Sequence, residues 1–227
     1  MSKPKFVNID SLSLQNFDEN SELIPLMTTE DEKEINNEAL PETLPILPLR
    51  NTVLFPGVVI PITAGRDKSI KLIEDANRGL KVIGVVAQKD EITEDPTVRD
   101  IHKTGTVARI LKVLKMPDGN TTIIIQGKKR FQITEMITEE PYMNATIKGL
   151  SETRPVINDV EFDAIIDSIK DLSLQIIKQS PNIPTEASFA IKNIESNSFL
   201  VNFVSSNMNL SVGDKQVLLE INDLEER

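Results

Sequence analysis

Cysteine is absent from all 227 residues. That excludes a disulfide framework, thiolate catalysis and any cysteine-ligated metal. Histidine occurs once, at His102, so a His/Cys metal site is excluded and a Ser-His-Asp triad could use only this residue. Tryptophan is missing and tyrosine occurs once beside eight phenylalanines, which is thin material for an aromatic platform that stacks bases. Only nine glycines are present, and no GxxxxGK[ST], GxGxxG or GxSxG run occurs. Gly127-Lys128 is the sole Gly-Lys pair, and Thr122 stands where a phosphate loop would have its first glycine. No apolar run reaches 18 residues, so no membrane-spanning helix is expected, and residues 1–12 lack the apolar centre of a signal peptide.

Charge is plentiful but lopsided. The chain carries a net −10, with a pI near 4.8. Residues 1–40 hold nine acids against Lys3, Lys5 and Lys33, which places −6 there and leaves −4 for the rest. Such a balance lacks the electrostatic footprint that phosphate backbones require, so nucleic acid is not an expected partner. Lack of cysteine fits a reducing compartment, and a cytoplasmic location is expected.

Three regions follow from composition and period. Residues 1–40 are acidic and without sustained periodicity and read as a mostly disordered leader. Residues 41–155 are rich in strand signals. Four prolines (Pro45, Pro48, Pro56, Pro61) punctuate residues 44–61, so residues 44–49 and 58–62 read as edge or rim strands joined by a turn at Phe55-Pro56-Gly57. The spacing predicts one early helix over residues 66–79 with Gly79 as its stop. Residues 81–87 and 105–115 read as strands. A turn at Pro117-Asp118-Gly119-Asn120 leads to residues 121–126, and two further strands follow around Phe131–Ile133 and residues 142–147. Many strands, one helix and a proline-rich rim point to a small, partly closed barrel.

Residues 156–227 change to helical period. Phe162, Ile165, Ile166, Ile169, Leu172, Ile176 and Ile177 make one long stripe. Three shorter helices are expected, from Thr185, over residues 198–205, and from a capping sequence at Ser211, the last with Val217, Leu218, Ile221 and Leu224 inward. That last helix is expected to run on to the end of the chain as the start of a linking helix.

Few residues suggest chemistry. His102 sits among charged neighbours and reads as a surface histidine. Lys128-Lys129-Arg130 forms a short basic run, readable as a small anion or partner patch but more simply as solvated strand-end residues. Phe55, Val58, Val59 and Met116 flank the turns. They are the candidate partner-binding residues if they form an adaptable apolar groove, and core if they do not.

The residues already quoted resemble the N-terminal domain of Lon, the ATP-dependent AAA+ protease family. The likeness is carried by PLRNTVLFPG at residues 48–57, GRDKS at 65–69, the stretch from VVAQKDE through GKKRFQI, and LSVGDKQVLLEINDLEER. The resemblance implies an α+β fold, a PUA-like β pseudo-barrel followed by an α-helical bundle. It implies capture of unfolded or damaged protein substrates and support of hexamer assembly. It implies no catalytic, cofactor or metal residue in this chain, because the ATPase and Ser-Lys peptidase segments of the family lie beyond what is present. ATP and magnesium are expected for a full-length parent only. Two other readings are a stand-alone Lon-domain adaptor or ligand-binding module, and a PUA-like RNA binder, which the acidic composition disfavours.

Overall fold

The computed structural model describes residues 6–8, 23–25, 28–117, 119–155, 159–180, 183 and 186–227. Most of residues 1–27, for which disorder is expected, lie outside the described residues, as does Asp118 of the hairpin turn. Within the leader, β1 (Phe6–Asn8) pairs antiparallel with β2 (Leu23–Pro25). Disorder is not found over the end of the leader, where α1 spans Thr29–Asn37. Thr28 and Asp31 form a reciprocal capping box, and three acids in the first turn complement the helix dipole.

The sheet contains β3 (Thr43–Leu49), β4 (Val59–Ala64), β5 (Val82–Ala87), β6 (Thr104–Lys115), β7 (Thr121–Thr138) and β8 (Asn144–Gly149). Its order is β4-β7-β6-β5-β3-β8, and β7 also pairs with β8, so five strands close into a ring. The closing device is β7, an 18-residue strand. Its first part, residues 121–126, pairs with β4, and its last part, residues 131–138, pairs with β8. Register shifts between Thr106 and Ala108 and between Ile110 and Lys112 bend the β6–β7 ladder. The two strands expected around residues 121–126 and 131–133 are therefore one continuous strand.

The proline argument holds for β4, which is an edge strand paired only with β7. It needs correction for β3, which lies inside the ring. There the pairing is divided: residues 43–45 face β8 and residues 46–49 face β5. The Ile46 N–H donates to Met143 O at 2.8 Å, and the Leu49 carbonyl accepts from Gln88 N–H at 2.7 Å. Strand alternation then aims the missing donors of Pro45 and Pro48 at the side where each position has no partner. An interior strand thus tolerates two prolines.

Helix α2 (Asp67–Arg78) crosses from β4 to β5 and buries Leu72 and Ile73 on the barrel, where the early helix is expected. The C-terminal helices are α3 (Val160–Gln179), α4 (Glu186–Asn193), α5 (Asn197–Asn207) and α6 (Val212–Glu220). Asp159, Ser196 and Ser211 cap α3, α5 and α6 through side-chain oxygens. Helix α6 does not run on. It ends at Glu220, Ile221 is extended, and the chain turns back so that Leu224 N–H donates to Thr153 O at 3.0 Å.

Gly127 is required where β7 bends past the 55–58 turn. Its N–H donates to Val58 O at 2.9 Å, and its O accepts from Gly57 N–H at 2.9 Å. A Cβ here would stand 2.3 Å from Phe55 O. Gly127→Ala is expected to lower stability by at least about 2 kcal/mol, read as a reduced urea midpoint with an unchanged slope.

Candidate functional site

The barrel and the helices share one apolar core. Val53, Phe55, Val58 and Ala87 of the barrel side cluster with Phe162, Ile166, Ile191, Phe199, Leu200, Leu219 and Leu224 of the helical side, and with Ile35 of α1. Two of the four candidate partner residues read from sequence are core. Phe55 is 0% exposed and Val58 is buried, so neither can meet a partner. Val59 is half-buried, at the start of β4. Met116 is exposed at the far hairpin. The four residues do not form one groove. Phe55 and Val58 are apolar because the helices cover them, a contact that local sequence could not reveal.

The long stripe of α3 is only partly covered. Phe162 and Ile166 are buried. Ile165, Leu172 and Ile176 are exposed, the last two by 58% and 59%. At 100° per residue these three fall within about 40° of arc, so they make an outer ridge beside the inner face. Phe189, on the adjoining helix α4, is also exposed. Val217, expected inward on α6, is exposed as well, and Gln216 and Leu219 take the buried positions.

Polar contacts lock the two halves. Arg130 of β7, expected to be solvated, is 3% exposed. Its Nη1 donates to Leu219 O at 2.8 Å and to Ile221 O at 2.7 Å, capping α6 at the negative end of its dipole. Burial, and then the positive charge of Arg227, push its pKa down to about 10. Gln216 Nε2 donates to Thr104 O at 3.0 Å, a second tie from α6 to the barrel. Arg227 Nη1 reaches Glu152 Oε2 at 3.1 Å and Asn202 Oδ1 at 2.9 Å. Arg154 pairs with Glu152 and with Glu32 of α1, and Glu32 also accepts from Ser196 Oγ.

His102 lies half-buried beside Glu220, with Nδ1 3.8 Å from Oε1. Its pKa is nonetheless lowered, because burial outweighs that carboxylate and Lys89 adds to the lowering. Among the described residues no group of three or more His, Asp or Glu could hold a metal ion, and no helix is long and apolar enough to cross a membrane.

These features define a class first: a closed β ring with a helical cap. Solved structures share that fold. The N-terminal domain of the Mycobacterium avium complex Lon protease covers 81% of this chain and 92% of its own length, with TM-score 0.65 and 22% identity. The Lon N-terminal domain protein from Xanthomonas campestris covers 80% and 92%, with TM-score 0.56 and 17% identity. Sequence gives the family. Residues 43–227 match the model of the ATP-dependent protease La (LON) substrate-binding domain. A Lon protease of Flavobacterium johnsoniae is 71% identical over all 227 residues, and one of Cytophaga hutchinsonii is 50% identical over 206 residues, which is 91% of the chain. The chain spans 28% and 25% of the lengths of these two relatives. It belongs to the Lon substrate-binding domain family.

Two expectations follow. Arg130→Ala leaves the buried Leu219 carbonyl without its donor, while Ile221 O keeps Arg227, and is expected to cost about 1–3 kcal/mol, with amide exchange of residues 221–227 speeding more than that of β3. For His102, a folded pKa below the unfolded value means that the neutral form favours the fold. Its contribution is complete above the unfolded pKa, near 6.5, and is lost as pH falls through the folded value. The difference in stability between wild type and His102→Gln is expected to shrink from pH 7.5 to pH 5 in urea titrations.

Proposed function

We propose that this chain captures unfolded or damaged polypeptide for a Lon protease. The carrying observation is the match of residues 43–227 to the substrate-binding domain of that family. The uncovered ridge of Ile165, Leu172 and Ile176, with Phe189 on α4, supports the reading, because exposed apolar side chains on a rigid helix suit loose contact with extended apolar segments. The working parts are the barrel over residues 41–155 and the helices over residues 156–227. Weak contacts become effective when several copies are held together, and in the parent protein a hexamer would provide that. ATP-dependent proteolysis, with ATP and magnesium, belongs in this reading to the parent protein in the cytoplasm.

The test is fluorescence anisotropy with a labelled, permanently unfolded polypeptide (reduced and carboxymethylated) against its native form. Binding of the unfolded form alone is expected. The double variant Leu172→Glu with Ile176→Glu is expected to weaken it at least about tenfold, or about 1.4 kcal/mol, without loss of fold. Equal binding of native and unfolded forms would sink the proposal.

A further inference from the structure

A cleft of about 380 Å³ opens between the barrel and the helices, with Glu32, Lys128, Lys129, Arg130, Glu152 and Arg154 on its wall. Its two carboxylates are already engaged. Glu32 holds Arg154 and Ser196, and Glu152 holds Arg154 and Arg227. The remaining three cations meet no carboxylate. Lys129 Nζ donates to the backbone O of Glu38 at 2.9 Å, and Lys128 makes no hydrogen bond or ion pair among the described residues. Arg130 gives Nη1 to two carbonyls, while its Nη2 is buried with no acceptor.

A buried charged donor without a partner is costly, by about 1–3 kcal/mol or more. The β6–β7 register shift opposite residues 127–130 interrupts strand alternation there, and Lys128, Lys129 and Arg130 all line the cleft. Two lysine ammonium groups act as point charges beside a guanidinium that spends only Nη1 on protein acceptors, and three positive charges at one cleft suit a multiply charged oxyanion better than a singly charged carboxylate. Separate donors converging from different positions suit a tetrahedral oxyanion.

We infer that this cleft is a binding site for a small oxyanion of the phosphate class, held by Lys128, Lys129 and the spare Nη2 of Arg130. The site is independent of the apolar ridge on α3, so its success or failure leaves the substrate-capture reading untouched. A bound anion would complete the buried charge next to the α6 cap and tighten the barrel against the helices.

The experiment titrates the whole 227-residue chain with inorganic phosphate at constant ionic strength, with chloride as the balancing anion. Two signals are followed: the side-chain 15N resonances of Arg130 and the thermal midpoint. A saturable shift of the Arg130 resonances and a rising midpoint are expected, because a ligand that binds only the folded state stabilises it. Lys128→Ala removes a half-buried side chain that bonds to nothing and is expected to weaken phosphate at least about tenfold. Lys103→Ala, an exposed lysine off the cleft, is expected to leave affinity unchanged. A shift that does not saturate, that chloride reproduces, or that persists unchanged in Lys128→Ala overturns the site. Should Lys128→Ala fail to fold, the Arg130 titration of the wild type decides alone.

Discussion

Arg130 sits inside the fold with its charge turned to a helix end rather than to a carboxylate. A guanidinium cannot readily give up its proton there, even with its pKa brought down to about 10, so the fold must satisfy it. Its Nη1 is satisfied by the carbonyls of Leu219 and Ile221 at the end of α6, where the helix leaves carbonyls without partners of its own. One interaction therefore meets two obligations, one from a strand and one from a helix. It also fixes where α6 stops and where the chain turns back toward Thr153. The contact ties β7 of the barrel to the end of α6, above the apolar core that the two halves share.

Around it the other polar contacts fall into place. Glu152, just past β8, bridges Arg154 and Arg227, so the last residue returns to the end of the barrel. Glu32 extends the same network to α1 and to Ser196, the cap of α5. The acidic leader thus contributes a helix that touches both halves, with Ile35 buried in their common core. Replacing such ion pairs by apolar groups need not cost stability, but breaking one alone strands a buried charge. Their plainest role is to fix geometry.

Apolar surface is divided in the same way. The side chains beside the 55–58 turn are covered, and the outer ridge of α3 is not. In the proposed capture role the ridge of Ile165, Leu172 and Ile176 would serve as apolar surface left over after the core is filled.

Much of the fold was legible. Helix α2 with its glycine stop, the hairpin turn, the cap of α6, and the long period of α3 are local signals, and each lies where the residues indicate. The family pattern at residues 48–57 and 65–69 was legible too. Other features were not. The continuity of β7 through Gly127 was hidden because its bend is set by pairing with three other strands. Phe55 and Val58 stood open between core and partner surface, because most of the residues that cover them, from Phe162 to Leu224, lie more than 100 positions away. Lys128-Lys129-Arg130 read as one solvated run, yet Arg130 is buried, and its cover is the end of α6, some 90 residues further along the chain. Sequence by itself determined most of the barrel strands, the helices α2 to α6, the α6 cap and the family, because propensity, turn chemistry and period act over a few residues. Tertiary structure alone decided which apolar and charged side chains are covered, because burial is a property of surfaces brought together from distant parts of the chain.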